Sequence, residues 1–459
     1  MSQRILIAGA GHGGLVAARY LAEAGCDVTV LECRKREALG YDQTDSVHLD
    51  GFEESGVPVP EEYLVKRTPL SFILPGEGVP PITQGVHEDE YNVEIDRKAL
   101  YDLLIGMAES AGAKLRCGVR VLGPIMLGSR VAGVKTDAGD EYADLVIDAA
   151  GLYSPVRQGL PEYLGVERDP GPGNVLHAYR AYFDRAPGVE APELKYQVFL
   201  IPGENCGLMW AITHDNEVDV LVGTFVQLDE AMLRQRLSAL RELNPQIGEN
   251  LLRGGAVSDI PLRQPLSLLV ADGYAAVGDS AFMTIPLKGS GVGYSMRAGR
   301  MLAEAVLSDD EGRYTAETLW DYQVSFYERI GFDAGLLALI KELMPLITAE
   351  DIEYVIHSGL VTPEILRGFG NEEGLLKILT SGGLGGLRDK ARKIVGHQNV
   401  RRMLLFTAKN AAKYAFLRQN LKARYDSRSA EKWVRAAARF YGGLKKPESD
   451  PAAEERSDE

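Results

Sequence analysis

Residues 5–32, ILIAGAGHGGLVAARYLAEAGCDVTVLE, constrain the fold more than any other stretch. Ile5 to Ala8 is an apolar run of strand length, and Gly9, Gly11 and Gly14 follow it in G-x-G-x-x-G spacing. Leu15, Ala18, Leu21 and Ala22 recur at helical spacing, Gly25 stops the helix, and Val28 to Leu31 makes a second strand ending on Glu32. Each part has a mechanical task. Gly9 permits the tight turn out of the strand. Gly11 has no side chain, so a pyrophosphate can approach the backbone. Gly14 lets the helix pack close to the sheet, and the helix N terminus turns its free N–H groups and positive dipole end towards phosphate. Glu32 stands where an acid accepts hydrogen bonds from ribose hydroxyls. Strand, glycines, helix, strand and acid in this order predict a βαβ dinucleotide-binding unit.

The chain has 459 residues, more than one small domain and ample for a core. Its 45% apolar and 25% charged content is that of a soluble globular protein. No apolar run reaches the ~18–20 residues that span a bilayer. No signal peptide precedes Ile5, so a cytoplasmic location is expected. Cys26, Cys33, Cys117 and Cys206 lack C-x-x-C spacing, so neither a metal site nor a disulfide framework is indicated. A net charge of -15 argues against nucleic-acid binding.

Residues 33–60 are polar and poorly periodic and read as a loop. Arg34, Lys35 and Arg36 either lie in solvent or neutralise a cofactor phosphate. Ser71–Leu74 and Asn92–Ile95 read as strands, the latter leading into a helix with Leu100, Leu103, Leu104 and Met107 on one stripe. Arg97, at its start, is a surface residue or reaches a phosphate. Lys114–Val121 and Arg130–Thr136 read as strands, with a turn over Gly123–Gly128. Asp144–Ala149 is a strand whose small residues run on to Gly151, Ser154 and Arg157. Leu176–Phe183, Tyr196–Ile201, Gly207–Thr213 and Val218–Phe225 alternate as an antiparallel sheet, followed by a helix over Asp229–Leu243. Such a sheet is a natural wall for a substrate pocket. Tyr274–Val277 then leads to Gly278-Asp279-Ser280, a glycine-rich loop over 286–293, and a helix bearing Ala298, Leu302 and Ala305. A second polar segment of a cofactor can dock at that helix start.

Together these segments resemble the FAD-dependent oxidoreductases of glutathione-reductase-like fold. More narrowly, they resemble the branch that holds p-hydroxybenzoate hydroxylase, the flavin halogenases and the geranylgeranyl reductases. The resemblance covers residues 1 to about 310. It implies an α/β (α+β) fold: a Rossmann FAD-binding domain over 1–310, interrupted at about 170–255 by an antiparallel substrate domain. It implies FAD as cofactor, with Gly9, Gly11, Gly13, Gly14, Glu32, Cys33, Arg34, Arg97 and Val119 around the ADP part. Asp148 and Gly151 match the middle motif, although two alanines separate them where the family sets Asp beside Gly. Gly278, Asp279, Pro286, Gly289, Ser290, Gly291 and Val292 match the motif that lies along the flavin. Geranylgeranyl reductases carry G-Y-x-W-x-F-P in the lipid pocket; the chain has Gly207, Trp210 and, at the changed positions, Leu208, Ile212 and Thr213. Of the halogenase stretch W-x-W-x-I-P, only Trp210 and Ile212 match. Tyr196, Trp210 and Pro286 are the expected pocket residues.

From Glu317 the chain reads helical to about residue 446, broken at SGGLGGL, and 447–459 form an acidic tail. Residues 388–446 hold seventeen Lys or Arg against three acids, which leaves the remainder near −29. This basic amphipathic zone either lies on an anionic membrane surface, making the protein peripheral, or packs on the acidic body or a second copy. The resemblance implies hydride transfer from reduced flavin to a C=C bond of an isoprenoid or other apolar substrate. The alternatives are an aromatic monooxygenase using NAD(P)H and O₂, and a flavin-binding protein without catalysis. The electron donor is NAD(P)H or a small redox protein. No catalytic residue is assigned; His214, Tyr196 and Tyr294 are proton-donor candidates that read equally as structural.

Overall fold

The computed structural model describes residues 3–84, 90–287, 289–360, 394 and 396–444. At its centre lies a six-stranded sheet. In spatial order the strands are β18 (Val270–Ala271), β19 (Tyr274–Ala276), β12 (Leu145–Asp148), β1 (Arg4–Ala8), β2 (Asp27–Glu32) and β8 (Lys114–Cys117). All neighbours pair in parallel except β18 and β19. Ile5, Leu6 and Ile7 are wholly buried, as a strand covered on both faces requires. The chain leaves β1 through α1 (His12–Glu23) to β2 on one side, and later adds β12 on the other. The order thus reverses at β1, and the crevice at the carboxyl ends of β1 and β12 is the switch point where such sheets take their ligands. Helices α3 (Arg97–Ser110) and α6 (Val292–Leu307) both pack against α1.

A second sheet has seven strands: β17 (Ile247–Pro261), β13 (Val175–Arg185), β16 (Glu217–Thr224), β15 (Gly207–Thr213), β14 (Tyr196–Ile201), β5 (Ser71–Ile73) and β6 (Ile82–Thr83). It is antiparallel but for the β14–β5 pair. Alternation gives it two faces. One buries Phe183, Phe199, Met209 and Val220 with Leu240 of α5 (Glu230–Leu243). The other carries Leu176, Ala178, Leu221 and Leu262 beside Leu208 and Trp210. Two three-stranded sheets complete the β structure: β11 (Gly139–Tyr142), β10 (Arg130–Thr136) and β9 (Val121–Leu127), then β3 (Thr44–His48), β7 (Tyr91–Asp96) and β4 (Leu64–Lys66). The short helices are α2 (Leu49–Glu53) and α4 (Pro155–Gln158). The C-terminal helices are α7 (Trp320–Phe326), α8 (Phe332–Lys341), α9 (Ala349–His357), α10 (Gln398–Arg418) and α11 (Ser427–Gly442).

Several expectations are corrected. Residues 33–60 hold β3 and α2, because Val47 and Phe52 supply two buried anchors in an otherwise polar run. The turn expected over Gly123–Gly128 is mostly β9; it is an edge strand, so Pro124 costs no ladder bond. The large sheet recruits β5 and β6 from residues 71–83 and extends to Pro261, outside the expected 170–255. Register shifts mark β17 where Gly254 and Gly255 take φ of 76° and 81°. Bulges of this kind hide a strand from a reading by alternation. Helix α11 packs inward: Ala430, Trp433 and Ala437 are buried, and Trp433 Nε1 donates to Ser267 O at 2.6 Å. The break at SGGLGGL and the acidic tail lie outside the described residues.

Candidate functional site

Gly9 turns out of β1 at φ 86°, and its N–H donates to Leu31 O at 2.7 Å. A Cβ at Gly11 would stand 2.8 Å from Ala149 O, and one at Gly14 would stand 2.6 Å from the Ala149 methyl. On its Cβ side Gly11 thus packs against the turn after β12. Gly13 plays a different part. A Cβ there would meet Ser295 O at 2.5 Å, and one at Gly299 would meet Gly13 O at 2.1 Å. Helices α1 and α6 therefore cross backbone to backbone. Each begins after a glycine, Gly11 or Gly291, with no side chain capping its N terminus. Their free N–H groups form an anion-binding cradle.

Glu32 is 4% exposed at the end of β2. Its Oε2 accepts from Ala10 N–H at 3.0 Å, and its Oε1 from the N–H and Nε of Arg34 at 2.9 and 3.1 Å. Burial opposes ionisation, but these donors outweigh it and hold the carboxyl below its ordinary range. A carboxylate has about four acceptor sites, so room remains for ribose hydroxyls. Cys33 is exposed, with Sγ 3.5 Å from Glu32 Oε1, and Val119 N–H donates to Glu32 O at 3.0 Å. Arg36 turns away to Glu109 at 2.7 Å, which removes it from the phosphate candidates.

The middle motif has a structural task. Asp148 is wholly buried and accepts from Ser154 Oγ at 2.6 Å, Tyr274 OH at 3.1 Å, Arg157 N–H at 3.2 Å and Ala150 N–H at 3.2 Å. Its carboxylate, expected at the cofactor, is taken up by these protein donors. Arg157, also wholly buried, donates to Ser280 O at 2.5 Å and stacks over Phe282 at 4.4 Å. Gly151 N–H donates to Ser280 Oγ at 2.9 Å. The middle motif thus holds the turn that carries Gly278 and Asp279. Gly151 itself, at φ 86°, faces open space.

Asp279 accepts from Thr284 Oγ1 at 3.0 Å, and burial pushes its carboxyl up. A Cβ on Gly291 would stand 2.7 Å from Thr284 Oγ1, so this loop closes tightly. Pro286 is buried, whereas Gly289 and Ser290 are exposed and Val292 half-buried. Leu287 takes a positive φ of 67° in the same loop.

Arg97, the first residue of α3, lies near enough to both His12 and Asp279 for its charge to act on each. Its Nε donates to Asp45, which also pairs with Arg180 at 3.2 Å. Arg180 forks onto Asp219 at 2.7 and 3.1 Å, and Trp210 Nε1 donates to Asp219 at 3.2 Å. A continuous polar chain therefore runs from Arg97 to Trp210. Burial opposes the charge on Asp45, but Arg97 and Arg180 outweigh it and hold its carboxyl below the usual range. His12, the first residue of α1, lies 4.8 Å from the Tyr101 ring, and its Nε2 is buried without a partner. Burial first, then Arg97 and Arg34, against Asp45, lower its pKa to about 3, so the imidazole is neutral. His12, Asp45, Arg180 and Asp219 escaped the sequence reading. The signal available was a charged residue inside each of two alternating strands, and a histidine inside the fingerprint.

Tyr196, at the start of β14, lies 6.0 Å from the ring of His214, which follows β15. Tyr294, in the first turn of α6, lies under Arg297 at 5.6 Å. The residues fit FAD: two uncapped helix starts suit a diphosphate, a buried acid suits ribose, and His12 Nε2 has hydrogen-bond capacity that no protein group fills. Among the described residues no His, Cys, Asp and Glu group could hold a metal.

Residues 39–305 match the family described as FAD dependent oxidoreductase, and residues 7–54 match the NAD(P)-binding Rossmann-like domain. A digeranylgeranylglycerophospholipid reductase of Sulfolobus acidocaldarius is 24% identical over 89% of this chain and 90% of its own length. One of Haloferax volcanii is 26% identical over 71% and 82%. Among solved structures, a geranylgeranyl bacteriochlorophyll reductase-like protein of Thermoplasma acidophilum superposes with a TM-score of 0.68, at 18% identity, over 83% of this chain and 96% of that one. The chain is an FAD-dependent enzyme and belongs to the FAD-dependent oxidoreductase family, within the superfamily of p-hydroxybenzoate hydroxylase and the geranylgeranyl reductases.

Proposed function

We infer that the protein reduces carbon–carbon double bonds in the isoprenoid chains of a lipid. The observation that carries this reading is the apolar face of the large sheet, where Leu176, Leu208, Leu221, Leu262 and Phe225 cluster away from α5. It suits an extended hydrocarbon chain. The reductase names of relatives aligned over most of their length support it.

In this reading Glu32 orients the adenosine ribose, and the N–H groups at the starts of α1 and α6 hold the diphosphate and the flavin end. Arg97, steered by Asp45, balances phosphate charge, and Asp279 takes a hydroxyl of the linking chain. Bound FAD supplies hydride chemistry. The apolar face excludes water and aligns the alkene; Trp210, fixed by Asp219, forms the polar end of that wall. Electrons come from NAD(P)H or a small redox protein. A second reading, aromatic hydroxylation, is favoured by the Arg180–Asp219 pair, which places charge in an otherwise apolar wall.

The test is anaerobic. Chemically reduced protein is mixed with an unsaturated isoprenoid glycerophospholipid, and the lipid is analysed by mass spectrometry. The expected result is addition of hydrogen to the double bonds. Unchanged lipid, with substrate-linked oxygen consumption on an aromatic acid instead, would replace this reading with the second.

A further inference from the structure

Helix α10 is apolar on two sides. Val400, Met403, Phe406, Tyr414 and Leu417 are buried against the protein body, where Tyr414 OH donates to Phe332 O at 2.7 Å. On the opposite side Leu405 is 62% and Phe416 70% exposed. Eleven residues separate them, about three helical turns, so the two side chains stand in one line about 16 Å long. Ala408, Ala412 and Ala415 lie along that line, and Arg401, Lys409 and Lys413 flank it, all exposed. This side has no cover among the described residues.

The surrounding charge is one-sided. Residues 396–444 contain eleven Lys or Arg and two acids. Both acids are occupied: Asp426 caps α11 by accepting from Ser429 N–H, and Glu431 pairs with Arg435. Helix α11 has spent its apolar face on the body and presents Arg428, Lys432 and Arg439 to solvent. The rest of the chain is acidic, so a negatively charged sheet of lipid would attract this zone and repel the remainder.

We propose that the outer face of α10 docks on an anionic bilayer, with Leu405 and Phe416 in the acyl boundary and Arg401, Lys409 and Lys413 among the headgroups. A bilayer fits better than a second copy of the chain. Two large side chains cannot supply the apolar core of the about 800 Å² that each partner of a stable complex buries, whereas interfacial helices bind through a few apolar residues backed by cations. The proposal deepens the lipid-substrate reading by saying where the protein meets its lipid, but it stands on a different surface.

The test uses the full-length protein and vesicles of phosphatidylcholine, with or without phosphatidylglycerol and free of any isoprenoid substrate, so its outcome is separate from the reductase assay. Co-sedimentation is expected with the anionic vesicles only, and is expected to fall with salt. Lys409→Gln with Lys413→Gln should weaken it by roughly fivefold per lysine removed. Leu405→Ser with Phe416→Ser should abolish it while leaving thermal unfolding unchanged, because both side chains are exposed. Equal binding to neutral vesicles, no binding to either, or variants that bind as the parent does would overturn the proposal. So would a dimer, seen by light scattering, that Leu405→Ser with Phe416→Ser dissociates.

Discussion

Replacing Gly299 by Ala adds one methyl group where α6 crosses α1. The new Cβ would stand 2.1 Å from Gly13 O and 2.8 and 2.9 Å from Gly13 C and Cα. All three are backbone atoms of the first turn of α1, so no rotamer change relieves the clash. The helices must separate by about 1.3 Å or more to reach ordinary contact. Overpacking of this kind costs about 1–3 kcal/mol, and the rigid neighbours put it at the upper end. Alanine returns about 1 kcal/mol of helix propensity, leaving a net loss of about 2 kcal/mol. The same shift moves the N–H groups that begin at Gly11 and Gly291, so FAD retention should fall with stability. Gly106→Ala is the control. It lies within α3, and its added methyl meets nothing within 4 Å. That variant should gain about 0.5–1 kcal/mol. Urea denaturation of the two apo variants and FAD absorbance per chain test the pair. A Gly299→Ala protein as stable as its parent and fully loaded with FAD would refute the close crossing.

Acid should destabilise the apo protein through His12. Its folded pKa of about 3 lies below its ordinary 6.5, so the unfolded chain takes up the proton first as pH falls. Stability is full above 6.5 and drops by about 1.4 kcal/mol per pH unit towards 3; His12→Phe should flatten that part of a urea-midpoint profile. Glu32→Ala leaves Ala10 N–H and Arg34 N–H without their acceptor and removes the ribose partner. FAD affinity, followed by quenching of flavin fluorescence, should fall at least about tenfold, as expected for a charged hydrogen bond. Asp219→Asn breaks the pair that Asp219 makes with Arg180. Because Asp45 still faces Arg180, the loss should be below the about 3–5 kcal/mol of a fully orphaned charge, and Arg180→Met with Asp219→Leu should recover much of it in the same denaturation assay.

The βαβ unit was readable because its signals are local: the turn at Gly9, the helix from His12 and the acid at Glu32 all fall within one short run. So was β15, whose alternation is unbroken. What escaped depends on contacts between distant segments. Gly11 reads as a ligand-facing glycine, and no spacing rule links it to Ala149, its neighbour on the Cβ side. Asp148 reads as a cofactor acid, yet the partners that occupy it, Tyr274 and Arg157, come from other elements. The chain Arg97–Asp45–Arg180–Asp219 joins four separate strands and helices, and all but Arg97 look like ordinary charge in the sequence. The basic C-terminal zone divides by face: α11 spends its apolar side on Ser267 and its neighbours, while α10 keeps one side outward.

The central claim is that the protein adds hydrogen, and not oxygen, to a lipid alkene. Its most direct test is one competition experiment. Reduced holoprotein is mixed with an unsaturated isoprenoid glycerophospholipid in buffer equilibrated with isotopically heavy O₂, and the lipid product is weighed by mass spectrometry. The account predicts a product heavier by dihydrogen for each double bond reduced and free of the heavy isotope. A lipid that incorporates heavy oxygen, or one that stays fully unsaturated while the cofactor is reoxidised, would contradict it.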